Sequence, residues 1–300
     1  MKNVLLLLNA CAGSGKVKLN TFQMIESLTK QGYKTTVYPI IPRDNLEAKE
    51  VITEEVLKDY DLLAVSGGDG TLNRIMSLLI DRNIDIPLLY IPAGTTNDMS
   101  RALQIPSDIE KNCALVNEGE LFSMDIGKLN TRYFNYVAAF GAFTNVSYDT
   151  QQSLKSALGY GAYLLSGVIN APEALNTKCH LKVITDNEEF EGDFFVGTVS
   201  NSTSVAGVKT PVIQKSKLND GLFEVLLVKV VKDVNSLIDI VNALNSDDPK
   251  SDAIKIFRTS SLTIISDDDL PWTLDGEYGG SFKESKIEVL PKRIRIYKGR

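Results

Sequence analysis

The chain has 300 residues, 43% of them hydrophobic, so it is long enough to form one large hydrophobic core or two smaller ones. Its formal net charge of −6 argues against a nucleic-acid-binding protein that works by neutralising phosphates. Cys11, Cys113 and Cys179 lie far apart without a CxxC pair, which argues against a disulfide framework or a zinc site. The single histidine, His180, lies in an alternating run typical of a solvent-facing strand, so acid–base chemistry is expected to depend on carboxylates.

The N-terminus imitates a bacterial lipoprotein signal, because a lysine and an apolar run, Val4–Leu8, precede Cys11. The run is shorter than the roughly 7 to 15 residues that an export signal needs. No later stretch of the sequence approaches the ~20 apolar residues of a membrane-spanning helix. We therefore expect Val4–Leu8 to be a buried strand and the protein to be cytoplasmic.

The first third of the chain alternates strand and helix patterns. The predicted strands are Asn3–Leu8, Lys34–Ile41, Asp61–Ser66 and Pro87–Ile91. The predicted helices are Leu19–Gln31, with Phe22, Ile25 and Leu28 on its apolar face, Leu46–Lys58, Leu72–Asp81 and Met99–Leu103. Such βαβ units imply a parallel sheet with helices on both faces and ligands at the carboxyl ends of the strands.

After about residue 122, β-rich segments follow one another directly. They are Tyr133–Phe140, His180–Thr185, Phe194–Ser200, Leu222–Val230 and Leu262–Ser266. This pattern predicts a mostly antiparallel second domain, interrupted by one helix near Leu154–Ile169, with a surface loop at Asn245–Lys250. The strand-like segment Ile287–Tyr297 could return to the first domain. The predicted class is therefore α/β, with a βαβ domain at 1–122 plus 287–300 and a β-rich domain at 123–286.

The most informative motif is the glycine-rich segment Ser-Gly-Gly-Asp-Gly-Thr at residues 66–71, between a buried strand and a helix. Gly67, Gly68 and Gly70 can adopt backbone angles closed to other residues and leave room for a ligand. Their amides and the positive end of the helix suit phosphate oxygens, whereas Asp69 suits Mg²⁺ or its water shell. A tight turn capped by an aspartate is the structural alternative. The segment favours a nucleotide-binding function for the βαβ domain.

Two further loops follow predicted strands. The loop at residues 9–16 offers the Ser14 hydroxyl and the Lys16 cation, but it matches neither the Walker A nor the dinucleotide pattern, and an exposed turn explains it as well. The loop at residues 91–98 has four consecutive polar residues behind Gly94. Helix capping explains one or two of them but not all four.

Two downstream turns could also carry chemistry. Glu277, in Asp-Gly-Glu at 275–277, would be the natural general base, although the motif could equally be a simple hairpin turn. Because a solvated carboxylate is a weak base, we expect Glu277 to be partly buried, unless proton transfer occurs late. Asp220, in the turn at 217–223, could hold a cation together with nearby carbonyls.

Five motifs in this order, SGGDGTLN, IPAGTTNDMSRAL, MDIGKLN, KLNDGLFEV and LDGEYGG, resemble the diacylglycerol kinase catalytic-domain family, in particular its soluble bacterial members. The likeness covers essentially the whole chain. It implies a nucleotide-binding α/β domain and a β-rich domain with the active site between them. It also implies an enzyme that uses Mg²⁺ and ATP to phosphorylate a lipid hydroxyl, with diacylglycerol as the expected substrate and phosphatidic acid as the product.

The resemblance also implies roles for individual residues. Glu277 would accept the hydroxyl proton, and Asp69 would also be catalytic. Asp125 and Lys16 would belong to an interdomain charge network. The carbonyls of Lys217 and Leu222 and the carboxylate of Asp220 would bind a structural Mg²⁺. The predicted ATP site comprises Ser14, Gly15, Gly67, Gly68, Asp69, Gly70, Thr71, Leu72, Asn73, Arg74, Thr95 and Asn97.

A lipid substrate requires transient docking at the inner face of the membrane. The basic segment at 291–300 could contact anionic headgroups, although a terminal strand with a solvated basic face is the alternative. No nucleic-acid partner is expected, and a homodimer is compatible with the sequence. The alternative functions are an NAD kinase, a kinase for another lipid, and a catalytically silent protein that binds a nucleotide or lipid.

Overall fold

The computed structural model describes residues 1–12, 16–41, 46–95, 97–142, 177–201, 217–230, 233–244 and 251–300. The chain divides into two compact units, Met1–Met124 with Lys292–Arg300, and Asp125–Pro291. No helix within the described residues is both long and apolar enough to cross a membrane.

The first unit contains a parallel sheet. Its strands are β1 (Lys2–Asn9), β2 (Tyr33–Ile40), β3 (Leu62–Gly67) and β4 (Leu88–Pro92). They pair in parallel in the order β2-β1-β3-β4, and the end of β13 (Glu277–Lys298) pairs with β4 through Ile296 and Leu88. The middle strands are buried along their length, because helices cover both faces. The predicted parallel α/β sheet is confirmed.

The helices of the first unit follow these strands. They are α1 (Lys16–Lys30), a 3₁₀ turn (Ala48–Glu50), α2 (Glu54–Leu57), α3 (Asp69–Asp81), α4 (Asp98–Ala102) and α5 (Ile109–Glu118). The single helix predicted at Leu46–Lys58 is wrong, because Thr53 begins a new helix there by accepting a hydrogen bond from the N–H of Val56 at 3.2 Å. The prediction missed α5, which Asp108 caps in the same way through the N–H of Lys111 at 2.9 Å.

The buried face of helix α1 matches the predicted one only in part. Leu28 is buried as predicted and Ile25 is partly buried, but Val17 and Met24 complete the buried face, whereas Leu19 is 84% and Phe22 is 76% exposed. The assignment of Phe22 to the core was therefore wrong. The periodicity correctly predicted a helix but not which of its apolar residues the sheet would cover.

The second unit is strand-rich. Its strands are the end of β5 (Glu120–Leu129), β6 (Arg132–Phe134), β7 (Val137–Gly141), β8 (Cys179–Thr185), β9 (Glu189–Ser200), β10 (Phe223–Lys229), β11 (Ile254–Thr259), β12 (Ser261–Leu274) and most of β13. The pairings of these strands are antiparallel, as predicted. Strands β9 and β12 each pair with both β7 and β8, so these four strands close on themselves around a core.

Aromatic side chains fill that core. Trp272 is fully buried, packs edge-on against Phe140 at 5.0 Å and donates its indole N–H to Ser285 Oγ at 2.8 Å. Phe134 stacks on Phe223 at 5.6 Å. This packing fixes the end of β12, and therefore the turn that follows it.

One helix of the second unit, α6 (Val234–Leu244), was not predicted. The helix predicted near Leu154–Ile169 and the loop predicted at Asn245–Lys250 lie outside the described residues.

Candidate active site

The glycine-rich loop between β3 and α3 packs against the loop after β4. A Cβ added to Gly94 would lie 2.7 Å from the Cα of Gly68, and one added to Gly67 would lie 2.7 Å from Thr71 Oγ1. Gly68 has an ordinary extended backbone, with φ −88° and ψ 179°, and neither Gly67 nor Gly70 has a positive φ. The prediction that these glycines adopt backbone angles closed to other residues was therefore wrong. Gly67 and Gly68 instead permit close packing within and between the loops.

Asp69 ties the two loops together. Its carboxylate accepts hydrogen bonds from the N–H groups of Asp98, at 3.0 Å, and Met99, at 3.3 Å, and so caps α4. Burial raises the pKa of Asp69, and the two backbone hydrogen bonds oppose that rise. A cation at this edge of the sheet would offset the cost of burying the charged carboxylate.

Asn97 also holds the loop after β4. It has a left-handed backbone, and its side chain closes a ring with Gly94 by accepting from the N–H and donating to the carbonyl, both at 2.8 Å. The Tyr90 hydroxyl donates to the carbonyl of Gly67 at 3.2 Å. Asn97 was predicted to contact the nucleotide, and Tyr90 was not singled out. In the structure both residues hold the backbone of the paired loops.

The loop after β1 joins this group through Asn9. Its side-chain amide donates to Thr71 Oγ1 at 2.7 Å, and its carbonyl accepts the N–H of Cys11 at 3.0 Å. Sequence reasoning gave Asn9 no role, although it is the first polar residue after a buried strand. Ser14 and Gly15 lie outside the described residues, and Lys16 begins α1.

The start of α3 can receive an anion. Its N-terminal cap is Gly68, which has no side chain to accept the first N–H groups of the helix. Those amides and the positive end of the helix suit a phosphate oxygen. The loop region thus presents uncapped amides beside a partly buried carboxylate, an arrangement that fits a nucleotide phosphate with a divalent cation.

The remaining predicted nucleotide-site residues differ in their surroundings. Leu72 is fully buried, and Thr95 is exposed. Asn73 accepts a hydrogen bond from Ser77 Oγ at 3.4 Å, and exposed Arg74 pairs with Glu47 at 2.7 Å. Leu72 can therefore contribute only backbone atoms, whereas Thr95 has an accessible hydroxyl.

In the second unit, Asp275 and Gly276 form the turn between β12 and β13. Both have positive φ, 49° and 92°, as in a two-residue hairpin turn, and Leu274 faces Glu277 across it. The Asp275 carboxylate accepts three N–H groups, from Asn135 at 2.7 Å, Tyr136 at 3.0 Å and Val137 at 3.1 Å. The hairpin interpretation of Asp-Gly-Glu is therefore confirmed, and β6–β7 hold this turn.

Glu277 begins β13 next to this turn and is exposed. Its expected partial burial is not found. The exposed carboxylate is nevertheless attached to a firmly hydrogen-bonded turn. Sequence reasoning singled out Glu277 and gave Asp275 no role of its own, although an Asp-Gly pair is the usual hairpin signal.

Asp125 is fully buried and holds the turn at 217–222. Its carboxylate accepts the N–H of Gly221 at 2.7 Å, and its own N–H donates to the carbonyl of Leu218 at 2.8 Å. Asn201 donates its side-chain amide to the Asp125 carbonyl at 2.7 Å. The structure thus gives Asp125 a definite contact with the predicted structural-metal turn.

Asp220, the predicted carboxylate ligand, pairs with Arg258 at 2.5 Å, and Arg258 also binds buried Glu224 at 3.0 Å. Asp220 accepts the N–H of Leu222 at 3.3 Å. The described residues contain no cluster of three His, Cys, Asp or Glu side chains suited to a metal ion. A Mg²⁺ ion here would depend mainly on carbonyl oxygens, as predicted for Lys217 and Leu222, and would share Asp220 with a guanidinium group.

Two other predicted features belong to strands β8 and β13. His180 is a strand residue, partly exposed and bonded to Asp193 and Glu191, both at 2.8 Å, as its alternating pattern indicated. In the basic C-terminal segment, Arg293 binds Asn83 at 2.9 Å and Arg295 binds Asp85 at 2.7 Å. These two cations of the segment therefore already have protein partners.

Both parts of the chain match known protein families. Residues 3–129 match the diacylglycerol kinase catalytic domain, and residues 137–298 match the YegS C-terminal NAD kinase beta sandwich-like domain. The diacylglycerol kinase of Staphylococcus aureus (strain MRSA252) is 32% identical, over 99% of this chain and 92% of that protein. That of Staphylococcus carnosus (strain TM300) is 29% identical, over 99% and 95%.

A solved structure of a diacylglycerol kinase from Bacillus anthracis str. Sterne has the same fold, with a TM-score of 0.75 at 22% identity, over 99% of this chain and 97% of that one. The match to the diacylglycerol kinase catalytic domain, together with full-length relatives of that name, makes this protein a lipid kinase by class. The chain belongs to the diacylglycerol kinase family, and the resemblance seen in its motifs is confirmed.

Proposed function

We propose that this enzyme transfers the γ-phosphoryl group of Mg·ATP to the free hydroxyl of diacylglycerol and releases phosphatidic acid and ADP. The observation that carries the proposal is the loop pair of the first unit. Helix α3 begins at Gly68 with uncapped amides, and the partly buried carboxylate of Asp69 lies next to them. A phosphotransferase must above all neutralise charge on the transferring group, and these groups are suited to that task.

The nucleotide binds at the carboxyl edge of the parallel sheet in this proposal. Phosphate oxygens accept hydrogen bonds from the first amides of α3, and Thr95 offers its exposed hydroxyl. Mg²⁺ supplies positive charge to the phosphate oxygens when it is bound. Asp69 would hold the ion directly or through water, and it keeps α4 in place through the N–H groups of Asp98 and Met99.

Glu277 takes the proton of the substrate hydroxyl. The hydroxyl oxygen forms a bond to the γ-phosphorus, the bond from that phosphorus to the bridging oxygen of ADP breaks, and the hydroxyl proton moves to the carboxylate. Phosphoryl transfer through a loose transition state makes little demand on the strength of the base. An exposed carboxylate such as Glu277 is therefore adequate if the turn at 275–276 holds it in position.

The test is phosphate transfer from Mg·ATP to diacylglycerol in mixed micelles, with NAD as the acceptor in a parallel reaction. The wild type and Glu277→Gln are compared with Glu284→Gln, which changes another exposed glutamate of β13. We expect phosphatidic acid from the wild type and the control, and a loss of about 100-fold or more from Glu277→Gln.

Other outcomes reject part or all of the proposal. Near-normal turnover by Glu277→Gln would reject its role as the proton acceptor. Phosphorylation of NAD would assign a different acceptor. If diacylglycerol and NAD both stay unmodified while another lipid is phosphorylated, the acceptor is wrong but the lipid kinase class stands. Binding of ATP without transfer to any lipid would favour a regulatory protein.

A further inference from the structure

Helix α1 presents an apolar pair that the first unit does not cover. Leu19 and Phe22 are 84% and 76% exposed, and residues three apart on a helix lie on the same side. The core is served by Val17, Met24 and Leu28 from the same helix. Single exposed apolar residues are common, but two adjacent large ones indicate an interaction surface.

The charges near this pair are the opposite of those that stabilise a helix N-terminus. Lys16 and Lys18 lie in the first turn of α1, which has no acidic residue, although anions rather than cations are favourable at a helix N-terminus. The first acidic residue of α1 is Glu26, which pairs with Lys30 at 3.4 Å. The start of α1 is therefore locally positive in a chain with a net charge of −6. Departures from such a stability rule are expected at residues that serve a function.

We propose that Leu19 and Phe22 insert into the surface of an anionic lipid bilayer, while Lys18 contacts its headgroups. The proposal rests on the proposed function, which places the substrate in a membrane, and it identifies the docking surface. Helix α1 begins at the carboxyl edge of the parallel sheet, and helical side chains lean toward the N-terminus of their helix. Docking through this pair would bring the edge with the Gly68 and Gly94 loops toward the lipid.

A lipid surface suits this pair better than a second protein copy. Two side chains expose at most a few hundred Å², whereas a stable protein interface buries about 1,200 Å² or more. Transient docking through a small apolar patch beside a few cations is typical of peripheral lipid binding. The other basic candidate, the C-terminal strand, already has Arg293 and Arg295 bonded to neighbouring side chains.

The experiment measures co-sedimentation of the full chain with vesicles of phosphatidylcholine, alone or mixed with phosphatidylglycerol. The double variant Leu19→Gln/Phe22→Gln is compared with Ile238→Gln, which removes a partly exposed apolar side chain of α6. Glutamine is a good helix former, so unfolding temperatures should match. We expect the wild type to prefer the anionic vesicles and the double variant to bind them at least about tenfold more weakly. We expect Lys18→Gln to reduce binding mainly at low salt.

A parallel assay measures phosphate transfer to diacylglycerol in those vesicles and to a short-chain diacylglycerol in solution. We expect the double variant to lose activity only on vesicles. Vesicle binding can be measured without turnover. If the double variant loses binding while the wild type phosphorylates no lipid, the docking surface is supported and only the proposed function is rejected. Unchanged vesicle binding by the double variant would overturn the docking surface. A wild-type dimer that becomes monomeric in the double variant, by light scattering, would overturn it in favour of a protein interface.

Discussion

Replacement of Asp275 by glycine would test whether this residue holds the turn next to Glu277. Its carboxylate accepts N–H groups from Asn135, Tyr136 and Val137 at 2.7 to 3.1 Å. Glycine removes these hydrogen bonds but adopts a φ of 49° without strain. Alanine would add backbone strain and so confuse two effects. The variant pair Asp275→Gly and Asp275→Asn therefore isolates the carboxylate.

The expected loss of unfolding free energy follows from these three hydrogen bonds. A hydrogen bond to a charged group contributes about 1.5–3 kcal/mol, but bonds that share one carboxylate are not additive. We expect Asp275→Gly to lose about 3–5 kcal/mol. Asparagine keeps one oxygen for Tyr136 and Val137 but turns an NH₂ group toward the N–H of Asn135. Its loss should be smaller, about 1.5–3 kcal/mol.

The assay is urea unfolding followed by the fluorescence of Trp272, the single tryptophan, which is buried three residues before the turn. Phosphate transfer is measured without urea on the same samples. If Asp275 positions Glu277, kcat should fall in both variants while the KM for ATP stays unchanged. An unfolding free energy of Asp275→Gly within about 1 kcal/mol of the wild type would refute the reasoning.

Three shorter predictions concern other residues. Gly94→Ala should lower the unfolding free energy by about 1–3 kcal/mol and weaken ATP binding, because its Cβ would meet backbone at 2.7 Å. Gly192→Ala, whose Cβ would make only ordinary contacts at 3.5 Å, should do neither. Equal effects of the two variants in thermal unfolding and ATP titration would contradict this. A thiol reagent should label exposed Cys11 in the native protein, and more slowly with ATP present. It should label Cys113 only in urea, because Cys113 is buried and burial raises the pKa of its thiol to about 12; labelling of Cys113 in the native protein would contradict this. Hydrogen bonds to two carboxylates raise the pKa of His180. Its protonated form therefore stabilises the fold fully below the ordinary pKa of 6.5, and this stabilisation is lost as the pH rises through the raised pKa. In urea unfolding, His180→Gln should lose more stability at about pH 5.5 than at pH 9, and a loss that is the same at both pH values would exclude this.

Most strands of both units could be predicted from the sequence because buried strands give continuous or alternating apolar runs. Strands β5 and β11 were not predicted, and β6 and β7 were predicted as one segment. Helix detail was harder. The apolar residues at 51, 52 and 56 fit one helix, but Thr53 caps a separate one through the N–H of Val56. Phe22 has the spacing of a core residue, yet Val17, Met24 and Leu28 are the buried apolar residues of α1. Periodicity reports that a face is apolar, not whether another element covers it.

The sequence identified these loops as a candidate site, but it did not explain why their glycines are needed. The spacing of Gly67 and Gly68 indicated a special turn, and the family motifs pointed to a nucleotide. That Gly68 must be small because Gly94 approaches it depends on a contact between loops, which no local pattern contains. The amides bound by Asp275 likewise belong to residues 135–137, far from it in sequence.

The carboxylate of Asp69 has two possible roles, which are to hold the loop at α4 and to bind Mg²⁺. It caps α4 through Asp98 and Met99, and a Mg²⁺ ion would need the same oxygens or a water between. Asp69→Ala would remove both tasks, so its inactivity would not distinguish them. Each oxygen of the Asp69 carboxylate accepts one of these N–H groups, so Asp69→Asn keeps an acceptor for only one of them and also loses the charge. If Asp69 serves the ion, Asp69→Asn should fold with a loss of no more than about 2 kcal/mol. It should also require at least about tenfold more Mg²⁺ for half-maximal phosphate transfer. If Asp69 serves only the loops, the Mg²⁺ requirement should stay unchanged and ATP binding should weaken in proportion to the lost stability.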